Sequence, residues 1–177
     1  MMFFFLLLLG FQTEEVVCTT HQFSNFYKIS SSSHKPKQKY EWVTVPKIRL
    51  CQNTEVSLSR VQRAVNYWER LGYQFGEIYL DRLSYCMQPK DNEIAIVLPS
   101  QGIIEGKMAV TRVYTSKFTG EILKAKIYVL PKTGMRERVL EHEIGHALGW
   151  QHYNYRNHIM HPNWWQGGHS SYGLNKR

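Results

Sequence analysis

The sequence predicts an α+β domain, and three observations support that fold class. Apolar residues recur every three or four positions in residues 58–71 and again in residues 139–148, as in helices that bury one face. Five other segments combine apolar and β-branched residues and are separated by Gly, Pro, Asn or Ser, as strands are. The chain has 177 residues, of which 43% are hydrophobic, so it can bury the core of one domain.

The first predicted element is a strand at residues 41–50, where Pro46 indicates a sheet edge or a bulge. A helix at residues 58–71 follows it, with Ser57 or Ser59 as the N-cap. The buried stripe of that helix is predicted to consist of Val61, Ala64, Val65, Trp68 and Leu71. Four more strands are predicted at residues 77–83, 93–98, 107–115 and 122–130.

The N-terminal residues 1–11, MMFFFLLLLGF, are apolar but too short to span a membrane as a helix. They are typical of the hydrophobic part of a secretory signal peptide, although no Lys or Arg precedes them. We therefore predict a signal peptide at residues 1–20 and a secreted protein, with a frayed apolar N-terminus or a start-site error as the alternative. Residues 21–39 are predicted to be a linker and residues 40–177 the folded domain.

The last predicted helix begins near residues 133–135 and carries the first part of the sequence HEIGHALGWQH, which spans residues 142–152. His142 and His146 are four residues apart, so both imidazoles lie on one helix face and can bind one metal ion. Gly149 can adopt the positive φ that ends a helix and turns His152 towards the other two. Three His ligands leave one coordination position open, which is typical of catalytic Zn²⁺. The buried stripe of this helix is predicted to include Val139, Leu140, Ala147 and Leu148.

Glu143 follows the first of these His residues directly. A carboxylate in that position can take a proton from water while the metal ion polarises a carbonyl group. The HExxHxxGxxH pattern therefore predicts a zinc metalloendopeptidase with one Zn²⁺ ion as cofactor and a protein or peptide as substrate. A zinc-binding recognition module without proteolytic activity is the alternative. Glu143 favours the enzyme, because a structural zinc site needs no base.

Two motifs resemble those of the metzincin zinc endopeptidases, and most closely those of the matrixin-like branch. One is HExxHxxGxxH, and the other is IMHP at residues 159–162. The resemblance implies that Met160 lies beneath the metal ion without binding it. It also implies that Pro162 and Trp164 form the outer wall of the pocket for the residue that follows the scissile bond. The fold that it implies is a twisted, mixed, five-stranded sheet with a backing helix and an active-site helix, here with a minimal C-terminal subdomain.

By the same resemblance, the strand at residues 107–115 would be the exposed edge of the sheet beside the cleft. An extended substrate could add to that edge through main-chain hydrogen bonds at Met108, Ala109 and Val110. An ordinary solvated edge strand is the alternative.

The charge and the residue composition indicate which classes of partner and metal ion are not expected. The formal net charge is +8, but the basic residues are scattered and no nucleic-acid-binding fold signature is present, so no nucleic-acid partner is expected. Asp81 and Asp91 are the only Asp residues, so calcium sites are not expected either. Cys51 and Cys86 are predicted to be buried thiols, with a disulfide as the alternative if the protein is exported.

Overall fold

The computed structural model describes residues 13–21, 35–82, 86, 88–100 and 102–176, and only the backbone of residues 13–21. The strands are β1 (Thr13–His21), β2 (Lys47–Cys51), β3 (Ile78–Asp81), β4 (Glu93–Val97), β5 (Lys107–Ser116) and β6 (Ile122–Val129). The helices are α1 (Leu58–Glu69), the single turn α2 (Pro131–Gly134) and α3 (Val139–Ala147), and a 3₁₀ turn lies at Gln52–Thr54. None of the helices in the described part of the chain is long and apolar enough to cross a bilayer.

One mixed sheet organises the fold, with the strand order β1-β5-β6-β4-β2-β3. The strands β6, β4, β2 and β3 pair in parallel, whereas β5 is antiparallel to both of its neighbours. The first predicted strand is shorter than expected and begins at Lys47, directly after Pro46, because proline cannot donate to a strand ladder. The α+β class and the mixed sheet are confirmed.

The sixth strand, β1, lies where the sequence indicated the signal peptide and the linker. It pairs antiparallel with β5 from Thr13 opposite Ser116 to His21 opposite Lys107. Residues 1–12 and 22–34 of the predicted leader and linker lie outside the described residues, whereas residues 35–39 of the linker are described and hydrogen-bond to the turn after α3. The structure therefore adds β1 to the edge of the sheet formed by the five predicted strands.

The two helices α1 and α3 pack on one face of the sheet. Alternate strand residues point to that face, as a strand repeat of two requires, and they form the main core with residues of the helices. This core includes Ile48, Leu50, Ile94, Ile96, Ile127, Trp68, Leu140 and Ile144. A smaller cluster of Cys51, Cys86, Ala95, Val97, Val110 and Tyr128 covers the other face. The helix α3 is thus enclosed by β5, β6 and α1.

The helix starts agree with the prediction for α1 but not for α3. Ser57 caps α1, and its hydroxyl oxygen accepts a hydrogen bond of 3.2 Å from the Arg60 amide. The predicted start of α3 at residues 133–135 is wrong, since the helix begins at Val139. The physical reason is Arg138, which adopts φ of 69° and so separates α2 from α3.

Cys51 and Cys86 form a disulfide across a sequence separation of 35 residues. The prediction of two buried free thiols is therefore wrong. Cys51 ends β2, and Cys86 follows β3, the parallel neighbour of β2 in the sheet. Such bonds persist in oxidising compartments and are rare in the cytosol.

Candidate metal centre

Three imidazole rings meet at the C-terminal end of α3. The Nε2 atom of His146 lies 3.0 Å from that of His142 and 3.1 Å from that of His152. The third distance, between His142 and His152, is 3.3 Å. The three predicted ligands are therefore brought together, close enough to bind one metal ion.

Main-chain carbonyl groups fix the tautomers of two of these rings. The Nδ1 atom of His142 lies 2.7 Å from the Ile159 oxygen, and that of His146 lies 2.8 Å from the Trp150 oxygen. A carbonyl oxygen can only accept, so each Nδ1 carries the proton and each Nε2 keeps a lone pair. Two lone pairs at this distance repel each other unless a cation lies between them. These nitrogen donors, oriented by hydrogen bonds from their outer nitrogens, thus fit a metal ion.

Burial also keeps these rings neutral. His142 and His146 are 5% and 1% exposed, and desolvation is the main reason that the pKa of His142 falls to about 4 and that of His146 falls well below its usual range. Only the neutral imidazole binds a metal ion, so no proton has to leave these two rings at neutral pH. His152 is exposed and gives the cluster an open side towards solvent.

Gly149 turns the chain back towards α3. Its φ is 91°, and its amide donates to the His146 oxygen at 2.9 Å, while the Trp150 amide donates to the Gly145 oxygen at 3.0 Å. This is the Schellman arrangement that ends many helices. A Cβ atom on Gly149 would overlap the carbonyl oxygen of Tyr40, so a larger residue does not fit. The predicted role of this glycine in the turn is confirmed.

Glu143 is a fully buried carboxylate beside the first His. The Thr111 hydroxyl lies 2.6 Å from Glu143 Oε2 and 3.2 Å from the main-chain oxygen of the same residue. Sequence reasoning missed Thr111, because it lies 32 residues earlier, on β5. Only the antiparallel pairing of β5 with β6 and the packing of α3 on β5 bring the two residues together.

Met160 lies directly beneath α3 and is fully buried. A Cβ atom on Gly145 would overlap the Met160 sulfur, so the helix has no side chain where that sulfur packs. The main chain of Met160 is also fixed, because its amide donates to His158 Nδ1 at 3.1 Å and its oxygen accepts from the Tyr153 amide at 2.9 Å. The structure thus places Met160 against the helix segment that lies between the first two His residues.

His158 is a supporting residue for which the sequence analysis predicts no role. Its Nδ1 accepts a hydrogen bond from the Met160 amide, so its Nε2 carries the proton and donates to the Tyr172 oxygen at 3.1 Å. Burial is the first cause that lowers the pKa of His158, which favours this neutral form. The Ile159 amide adds a 2.9 Å hydrogen bond to the Ser170 oxygen. The short C-terminal segment therefore supports the Met160 turn.

The two predicted pocket-wall residues differ in position. Trp164 lines a cavity of about 10 Å³ beside His142, whereas Pro162 is buried and is not one of its lining residues. The Arg138 guanidinium lies 4.5 Å from the ring centroid of Trp164 and donates to the Trp164 oxygen at 3.1 Å. Together Arg138 and Trp164 narrow this cavity.

The expectation that β5 forms an exposed edge is wrong. Residues of β1 pair along it, with Thr19 opposite Val110 and Cys18 opposite Thr111. The reason is that β1 occupies the edge on which β5 would otherwise expose unpaired main-chain groups. The side chains of Met108, Ala109 and Val110 are at most 1% exposed. Their assignment to substrate binding stays a prediction, and a substrate strand would have to replace β1.

Comparisons with protein-family models and with curated proteins found no match to this chain.

Proposed function

We propose that this chain is a zinc-dependent endopeptidase of the metzincin type. The observation that carries the proposal is the triangle of three Nε2 atoms, together with a fully buried carboxylate at Glu143, the residue that follows His142 in α3. Tetrahedral zinc with nitrogen ligands at about 2.1 Å needs those nitrogens about 3.4 Å apart. The distances of 3.0 to 3.3 Å between these atoms are close to that value. The HExxHxxGxxH pattern and the position of Met160 support the same assignment.

Each residue has a distinct role in this proposal. His142, His146 and His152 would hold the zinc ion, which when bound polarises a carbonyl group and acidifies a water molecule. Glu143 would accept a proton from the attacking water and deliver it to the leaving amine when the C–N bond breaks. The substrate would be a protein or a peptide. The buried Met160 would hold α3 in place and keep the ligand pair rigid.

We also propose that the protein is secreted. The disulfide between Cys51 and Cys86 supports an oxidising compartment. The apolar composition of residues 1–11 supports the same location.

The first test is to compare His146→Ala with His169→Ala in the full chain. We expect wild type and His169→Ala to bind one zinc ion and to cleave unfolded casein until a chelator is added. We expect His146→Ala to lose both properties, since the cluster then has only two ligands. His169 is a matched control, because its side chain is 57% exposed and it is not in the cluster. Atomic absorption measures the zinc content, and casein hydrolysis measures the activity. Hydrolysis by wild type that persists in chelator would contradict the proposal.

A zinc-binding module without proteolytic activity is the second candidate function. The observation that favours it is the pairing of β1 along β5, because a substrate strand then finds no free edge there.

The β1 pairing leads to a separate prediction. Val16→Pro/Val17→Pro should raise kcat/KM for peptide hydrolysis by about fivefold or more, because proline removes an amide that donates to the ladder. Both adjacent positions are changed because the main-chain N–H groups of alternate residues point towards the partner strand, so one of the two must donate to β5. Val16→Thr/Val17→Thr keeps the strand propensity and should leave the rate unchanged. Equal rates in the proline and threonine variants would show that β1 does not limit access to β5.

A further inference from the structure

Thr111 is a polar residue in an apolar part of the sheet. It is fully buried, and its neighbours on β5 include Ala109, Val110 and Val113. Strand pairing uses only the main chain of Thr111, opposite Ile127 on β6 and Cys18 on β1, so the fold does not need the hydroxyl for its ladder. A buried hydroxyl lowers stability unless it finds a partner. The partner that it has is Glu143.

The contact between the two residues is short and specific. The Thr111 hydroxyl lies 2.6 Å from Glu143 Oε2, within the range of a hydrogen bond to an ionised carboxylate. The same hydroxyl lies 3.2 Å from the main-chain oxygen of Glu143, so it is close to both the main chain and the carboxylate of that residue. Threonine is β-branched and has few accessible rotamers, which limits how far its hydroxyl can move. The position of Oε2 is therefore defined by a rigid strand.

We propose that Thr111 is a positioning residue for the reaction, and that its hydroxyl holds the Glu143 carboxylate in the orientation needed for proton transfer. This inference rests on the proposed peptidase function. The hydrogen bond from Thr111 to Oε2 restricts rotation of the carboxylate and so limits the directions in which Oε1 can point. Loss of this contact would remove one restraint on the carboxylate, and misplacement of a catalytic group by about 1 Å can lower a rate by about 100-fold.

The test compares Thr111→Val, which removes the hydroxyl with little change in shape, and Thr111→Ser, which keeps it. We expect Thr111→Val to lower kcat by about 10- to 100-fold, in line with the loss of a hydrogen bond to a charged group. KM and zinc content should change little, since the three His residues are unaltered, whereas the thermal midpoint should fall, because the buried Glu143 carboxylate loses a hydrogen-bond donor. Thr111→Ser should recover kcat to within about threefold of wild type, because the bond is restored. A wild-type kcat for Thr111→Val would overturn the proposal.

A structural readout keeps this test independent of the proposed activity. Crystal structures of zinc-loaded wild type, Thr111→Val and Thr111→Ser would be compared at Glu143. We expect the carboxylate to keep its rotamer in wild type and Thr111→Ser and to lose it in Thr111→Val. An unchanged Glu143 rotamer in Thr111→Val would overturn the positioning role. Absence of hydrolysis in wild type, together with a displaced carboxylate in Thr111→Val, would instead count against the peptidase function alone.

Discussion

Glu143→Gln is expected to lower kcat for peptide hydrolysis by about 10²- to 10⁴-fold while the chain still binds one zinc ion. Glutamine has nearly the same shape as glutamate, and its amide oxygen can still accept the hydrogen bond that Thr111 donates. What glutamine cannot do is accept a proton from water at neutral pH. The loss should therefore appear in kcat, because the His residues and the protein surface that bind metal and substrate are unchanged.

The matched control for this substitution is Glu137→Gln. Glu137 lies just before α3 in sequence, but its side chain is 76% exposed and contacts His169 rather than the cluster. We expect Glu137→Gln to cleave a fluorogenic peptide at the wild-type rate. The measurement is initial rates at saturating peptide, normalised to zinc content. A Glu143→Gln variant as active as Glu137→Gln would assign the proton transfer to another group.

The parts of the fold that the sequence predicts are those with local causes. The stripe of Val61, Val65 and Trp68 follows from helix periodicity, and all three side chains are fully buried in α1. The metal cluster is predictable for the same reason. His142 and His146 are separated by one helical turn, and Gly149 reverses the chain only three residues later.

The parts that the sequence does not predict depend on pairing between distant residues. The strand β1 contains Val16, Val17 and Thr19, which suit a strand, but β1 forms only by pairing with the distant β5, as Val16 does with Val113. Cys51 and Cys86 are close only because β2 and β3 are neighbours in the sheet. The Thr111 contact with Glu143 likewise depends on how α3 packs on β5. These features need the tertiary fold, whereas spacing along the chain reports only local geometry.

Arg60→Met is expected to lower the free energy of unfolding by about 3 to 5 kcal/mol, because it leaves a buried carboxylate without its partner. The Arg60 side chain is 1% exposed, and its guanidinium makes a two-point contact with Glu141, at 2.9 Å from Nη1 and 2.6 Å from Nη2. Nη2 also donates to the Arg136 oxygen at 2.9 Å. Glu141 immediately precedes His142, so this pair joins α1 to the helix that carries the metal ligands.

The double variant Arg60→Met/Glu141→Leu separates the loss of the pair from the loss of one partner. We expect it to be clearly more stable than Arg60→Met, since apolar residues in place of a buried pair leave no unpaired charge. Urea unfolding of the three proteins without metal measures the difference, and a cost below about 1 kcal/mol for Arg60→Met would contradict the argument. Metal binding is linked to folding, so the unstable single variant should also show the weakest apparent zinc affinity. The double variant should recover that affinity, because its His142 and His146 again lie on a helix packed firmly against α1.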